Sequence, residues 1–368
     1  MSESMLLVLE QCRESLPAAL IDGDGYSHLA AVADRLPVDL STFWGFECRL
    51  GEAEARTDIL FEVRKQTRGR FLLAGHHPSM LDEMCAQWPA WQYLRKFAGQ
   101  WADPEHEFST YIRNIWLEFD TAKVSKHDQI DKVLKHPCIF FGPDVRTIVG
   151  KQQAFPIIDD ALAVLGFKNT EYSDLEFFMK TLPDDAHVFQ VGLMLGRSNP
   201  GLRVCLFRLV PEDIADWLSR LNWKGDTKAL EELLAKLTPM LDTFALDLNL
   251  MNDGPSEKIG LECYMDWQDK DSSQWIPLLD FIAEKNLCLP EKREGVLAYP
   301  GADPVPESWK NRYKGVIYLK IFRQIHHIKL SIEHGTLTEA KVYLALNHPG
   351  LDLKMMYTKK DDGPWLVQ

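Results

Sequence analysis

His326, His327, Lys329, Glu333 and His334 form the densest group of titratable side chains in this 368-residue chain. At strand spacing His327, Lys329, Ser331 and Glu333 share one face. There His327 or Glu333 can act as a general base and Lys329 can hold an oxyanion or phosphate. The same alternation sends His326 and His327 to opposite faces, which argues against the pair as zinc ligands. The apolar register slips between Ile325 and Ile328, predicting a bulge at the histidines. A second group is Glu118 and Asp120, which share a face of Trp116-Leu117-Glu118-Phe119-Asp120. Such paired carboxylates can bind a divalent ion, split their pKa values for acid–base work, or simply hold a neighbouring arginine. Glu262, Tyr264 and Asp266 repeat the arrangement, as do Asp247 and Asn249 against Leu246, Leu248 and Leu250. His76-His77-Pro78 reads as a turn capping the helix that follows.

Side chains of this kind need strands to hold them, and the chain offers five pairs of strand-like segments, each after a helical stretch. The pairs are 41–50 with 57–65, 111–120 with 137–145, 186–195 with 201–209, 244–253 with 258–267, and 316–335 with 339–348. Residues 69–75 either extend the second segment or form a further strand. Gly196 to Gly201 and Asn252-Asp253-Gly254-Pro255 are hairpin chemistry. Helices are expected at 3–36 (two, broken by Asp22-Gly23-Asp24-Gly25), 80–101, 151–182, 211–221, 227–237 and 272–287, the last from a Ser cap. Residues 288–312 read as a long loop. Strands with one apolar and one polar face, helices lying between hairpins, describe an α+β fold: a closed antiparallel β-barrel of about ten strands surrounded by α-helices. No composition shift divides the chain, so a single domain over 1–368 is expected: helices in 1–40, the barrel in 41–348, a tail in 349–368.

Hydrophobic residues make up 46% of the chain, enough for a sizeable core. The net charge of −13 excludes the basic face that nucleic acid requires. Seven scattered cysteines without a CxxC suggest reduced thiols and a cytoplasmic setting; no signal peptide or membrane-length apolar run is present. GxSxG, P-loop, GxGxxG, HExxH, EF-hand and DDxxD motifs are all missing.

The repeated helix–hairpin order resembles the prenyltransferase barrel, the ααββ-repeat fold of soluble aromatic prenyltransferases. That resemblance implies ten strands around a chamber in which Arg, Lys and Tyr hold a prenyl diphosphate, aromatic rings shield the allyl cation, and an acid orients the aromatic acceptor. The family's Arg-x-Lys-x-Tyr strand corresponds to Arg203-Val204-Cys205-Leu206-Phe207, which keeps the arginine alone. Lys341-Val342-Tyr343 fits Lys-x-Tyr, and Tyr318-Leu319-Lys320 reverses it. On this resemblance Arg64, Arg203, Lys329 and Lys341, with Tyr264 and Tyr343, would hold the diphosphate. Glu47 or Glu118 would orient the acceptor and take its proton, with Asp120 and His327 as further acid–base candidates. Trp44, Trp116 and Phe207 would shield the cation, and Asp247, Asn249 and Glu262 would complete the substrate-binding set. Expected partners are a small aromatic substrate and a prenyl diphosphate, with Mg²⁺ as the one cofactor left open and no metal ligands assigned. The polar faces also collect Arg49, Glu62 and Gln190, so acids equal bases in the lumen. A cyclase or lyase acting on an aromatic intermediate by acid–base chemistry, decarboxylation included, is the alternative; a non-catalytic carrier of an apolar ligand is the third.

Overall fold

A computed structural model describes residues 3–123, 129–148, 150–167, 175–198, 201–265, 272–312 and 319–349. Asp266, Trp267, Tyr318 and the tail beyond 349 lie outside the described residues. Eleven strands form one sheet: β1 Phe43–Arg49, β2 Thr57–Arg64, β3 Ile112–Phe119, β4 Cys138–Pro143, β5 His187–Met194, β6 Leu202–Phe207, β7 Thr243–Met251, β8 Gly254–Tyr264, β9 Gly301–Pro304, β10 Lys320–Glu333 and β11 Thr336–Asn347. Each of β1 to β7 pairs antiparallel with the next, β8 pairs with β10, β10 with β11, and β11 returns to β1. Ten strands therefore close the barrel, while β9 adds only to the free end of β10, through Lys320–Arg323.

Strand alternation separates two environments. Outward residues such as Trp44, Phe46, Phe61, Ile115, Leu117 and Phe119 merge with helical residues into one continuous core. The helix Pro89–Ala102 buries Trp91, Leu94, Phe97, Ala98 and Trp101, and Thr227–Leu237 buries Leu230, Leu234 and Leu237, both one stripe at helical spacing. Indole N–H groups fasten the outer layer: Trp91 donates to the Leu134 carbonyl at 2.7 Å and Trp101 to that of Ile112 at 2.9 Å. The inner face belongs to different residues, among them Phe207, Ala245 and Tyr264, which form a separate small cluster with Phe189.

Short turns set the registers. His334 and Gly335 both have positive φ, 51° and 71°, as a two-residue primed turn between β10 and β11 requires. The predicted slip is real, since the β10–β11 register shifts between Ile325 and His327. A second shift, between Val188 and Gln190, kinks β5.

Some expectations fail for identifiable reasons. Residues 69–75 are a helix, Arg68–Leu73, because Gly75 with φ 78° closes it and its Leu72 and Leu73 bury outside the barrel. The expected helix over 80–101 is two, Leu81–Gln87 and Pro89–Ala102, since Pro89 forces extended backbone at Trp88. Ser272 does not cap its helix by side chain; its hydroxyl donates to the Leu297 carbonyl. The stretch 288–312 carries a helix at Pro290–Ala298, strand β9 and a helix at Glu307–Arg312; Pro290 begins a helix instead of marking a loop. No helix among the described residues is long and apolar enough to cross a membrane.

Candidate functional site

The barrel encloses a cavity of about 280 Å³ lined by all ten closing strands, near the lower end of small-molecule sites. Of the residues singled out in the sequence, Glu47, Trp116, Glu118, Arg203, Asp247, Asn249, Glu262, Tyr264, His327, Lys329, Lys341 and Tyr343 line it together. Other expected members do not: Phe207, Glu333, Arg49 and Glu62 are outside the lining, as are Arg64 and Asp120. Arg64 stands at the far end of β2, paired with Glu62 at 2.7 Å and lying over the Phe43 ring, while Asn114 donates to Glu62. Asp120 sits one residue past β3, outside the lining, and pairs with the lining residue Arg197. Trp44 borders the cavity, but its ring stacks on Phe61 in the outer core, 5.3 Å between centroids, and the β1 ring that meets the lumen histidine is Phe43.

Reasoning from alternation missed more. Arg197, in the β5–β6 turn, folds back into the lumen and bonds Glu118 at 2.7 Å and Asp120 at 2.6 Å. Turn chemistry explained its segment so fully that nothing in the periodicity flagged the side chain. Phe43, Phe140 and Phe189 line the cavity as well; Phe43 could have been found, since it shares its strand face with Glu47. His326 and His327 do not point to opposite faces. The bulge turns both rings inward, with their Nδ1 atoms 2.6 Å apart.

The lumen is divided along its axis. Toward the hairpin turns, among the described residues, lie six cations, Arg49, Arg197, Arg203, Lys258, Lys329 and Lys341, among seven carboxylates, so acids exceed bases where equality was expected. Almost every cation is shared. Lys341 meets Glu47 at 2.8 Å and Glu339 at 3.6 Å; Arg49 meets Asp58 at 2.9 Å and Glu47 at 3.6 Å. Lys329 pairs with Asp247 and lies 4.0 Å from Glu262, and Arg203 bonds Asp247 at 3.1 Å and Asn249 at 2.6 Å. Tyr343 donates to Glu47 and Tyr264 to Glu262.

Seven acids on six cations cannot all be equally satisfied, and their pKa values split accordingly. Burial pushes Glu47 up, but Lys341 and Arg49 outweigh it and hold the carboxyl well below its usual range. Asp247 is likewise held down by Arg203 and Lys329 against burial. Asp58 is raised to about 7 by burial and by Glu47, with Arg49 offsetting only part. Burial also raises Glu118, which shares its one guanidinium with Asp120, and raises Glu262 beside Asp247. Three carboxyls, Asp58, Glu118 and Glu262, are thus held above the usual carboxylate range.

Toward the opposite end the lining is aromatic. Phe43, Trp116 and Tyr264 surround His326 with centroids 5.5, 6.5 and 5.8 Å away. Phe207 packs between Phe189 at 4.1 Å and Tyr264 at 5.5 Å. His327 marks the boundary, stacked on Tyr343 at 4.0 Å.

Glu118, Asp120 and Cys138 bring three potential metal ligands within 4.8 Å of one another. Two features make them a poor fit for Mg²⁺. The Arg197 guanidinium already takes both carboxylates, and burial pushes the Cys138 thiol well up, leaving it protonated where a hard ion wants oxygen.

No family model matches the chain, and no curated protein matches it. Solved structures do. The 6-dimethylallyltryptophan synthase from Micromonospora olivasterospora, crystallised with DMASPP and Trp, is 12% identical with TM-score 0.50 over 94% of this chain and 95% of that one. The prenyltransferase PriB, in complex with L-tryptophan and dimethylallyl thiolodiphosphate, is 11% identical with TM-score 0.48 over the same shares. The likeness is one of fold, a ten-stranded antiparallel barrel with helices outside, and agrees with the resemblance drawn from the hairpin order.

Proposed function

We propose that this protein transfers a prenyl group from a prenyl diphosphate to a small aromatic acceptor inside its barrel. The observation that carries the reading is the axial division of one cavity into an aromatic half and a cation-bearing half. A prenyl diphosphate has the same two-part character. Its anion suits Arg203, Lys329, Lys341 and Arg197, with the Tyr264 and Tyr343 hydroxyls as neutral donors once they turn from Glu262 and Glu47. Its allyl end then lies among Trp116, Phe43 and Tyr264, whose ring faces stabilise a developing cation. Glu118, across the cavity, is placed to orient the acceptor, while Glu47 serves Lys341 and Tyr343 and acts chiefly as a positioning group. Asn249 and Asp247 fix Arg203, and Glu262 fixes Tyr264.

Titration with dimethylallyl and geranyl diphosphate, with and without Mg²⁺, while following the melting temperature, tests this. A ligand binding only the folded state must raise the midpoint. A rise that is lost in Arg203→Ala or Lys341→Ala supports the proposal; no rise in any condition refutes it.

A second reading is favoured by one specific observation: each lumen cation already faces a carboxylate. If those pairs persist, the site is an acid–base chamber for a cyclase or lyase, in which Glu118 and Glu262 deliver protons. Changing Glu118 would then abolish turnover while Arg203→Ala would have little effect.

A further inference from the structure

We propose that His326 and His327 act as a two-histidine proton relay, carrying the proton lost by the aromatic acceptor to the departing diphosphate. This rests on the prenyl-transfer reading of the same lumen. Three observations support it. The β10 bulge puts two consecutive imidazoles on one face with Nδ1 atoms 2.6 Å apart, a contact that requires one hydrogen between them. The Nε2 atom of His327 is buried and takes no hydrogen bond, which for a 6% exposed side chain is costly unless a ligand completes it. The two rings also face different halves: His326 lies among Phe43, Trp116 and Tyr264, whereas His327 lies against Tyr343, whose hydroxyl serves Glu47.

The hydrogen between the rings fixes their tautomers. With Nδ1–H on His326, its Nε2 is a bare base and His327 must carry its proton on Nε2. In the transfer a carbon–carbon bond forms between the acceptor ring and the prenyl C1, and the C1–O bond breaks to release diphosphate. The ring proton then passes to His326 Nε2. The bridging proton moves to His327 Nδ1, and the His327 Nε2 proton goes to a diphosphate oxygen. Exchange with solvent on product release restores the first tautomer. The three proton transfers are concerted, so neither ring stands as an imidazolium, which accords with burial holding His326 at about 4 and His327 well below its usual value. The charged groups facing the pair are Glu62 and Arg64 on β2, Glu47 on β1 and Lys329 on β10 itself.

The test combines ¹⁵N NMR of histidine tautomers with kinetics on the full chain, using dimethylallyl diphosphate and a panel of indoles and phenols. The relay predicts one Nδ1–H and one Nε2–H tautomer at positions 326 and 327, assigned from His326→Gln and His327→Gln. It also predicts that each variant loses roughly 10²-fold in kcat while melting temperature and diphosphate affinity stay near wild type. Identical tautomers at the two positions, or variants that keep kcat, overturn the relay while leaving prenyl transfer standing. Wild-type protein that binds no diphosphate and modifies no acceptor overturns the underlying reading instead, and the relay with it.

Discussion

Replacing Arg197 by methionine removes the one guanidinium that Glu118 and Asp120 share, at 2.7 and 2.6 Å. Breaking a buried ion pair by deleting one partner costs about 3–5 kcal/mol. The Arg197 side chain is 28% exposed and the two acids 11% and 14%, so solvent relieves part of this and about 2–3 kcal/mol is expected at pH 8. For a chain of this size that corresponds to a drop of roughly 3–4 °C in melting temperature. Without the arginine both carboxyls acquire folded-state pKa values above their unfolded ones. The folded variant therefore binds more protons than its unfolded chain, and its stability falls as pH rises through the folded values. At pH 5 the deficit should shrink to about 1 kcal/mol. Urea unfolding of wild type, Arg197→Met, Glu118→Gln and the double variant at both pH values measures it. Glu118→Gln should restore part of the loss, giving a coupling of about 1–2 kcal/mol in the cycle. A deficit independent of pH, or strict additivity, would refute the shared-cation account of the lumen.

Asp58, raised to about 7, and Glu118 and Glu262, raised as well, tie anion binding to protons. Protonating them frees cations, so dimethylallyl diphosphate should bind more tightly at pH 6 than at pH 8, by about tenfold for each carboxyl that titrates near 7. Calorimetric titration at the two pH values checks this, and affinity that rises with pH would count against it. The Phe140 ring lies over Gly192, within 2.2 Å of where a Cβ would stand. Gly192→Ala should therefore cost about 1–3 kcal/mol and raise KM for the aromatic acceptor, since the ring must swing into the cavity. Unchanged stability and KM would show that Phe140 is free to relocate.

Much of the barrel was legible because its signal is local. Clean alternation, as in Leu246 to Leu250 against Asp247 and Asn249, assigns both strand and face in one reading, and ten such segments with short turns leave few ways to pair. The bulge at the histidines was visible for the same reason, whereas the turn at His334-Gly335 fell inside a segment read as strand through 335. Helix boundaries set by tertiary packing were less legible: Arg68–Leu73 is helical because its leucines bury against the barrel, not through any strong local preference. Within the site, most polar lumen residues followed from alternation. What alternation could not supply was any side chain positioned by an irregularity. Arg197 reaches inward from a turn, His326 joins His327 through a bulge, and Phe189 faces the lumen beside Gln190 where β5 kinks. Pairing was equally hidden, because the sequence lists charges without distances. Only the fold reveals that Lys341, Lys329 and Arg197 are each divided between two acids.

The most direct test of the divided lumen is a turnover measurement. Purified protein is incubated at pH 6 with dimethylallyl diphosphate, with and without Mg²⁺, and a set of indole and phenol acceptors, and products are followed by mass spectrometry. The account predicts an acceptor heavier by one isoprene unit together with free diphosphate, both lost in Lys341→Ala and Arg203→Ala. An acceptor that is cyclised or decarboxylated without consumption of the diphosphate, or no product with any acceptor, would contradict it.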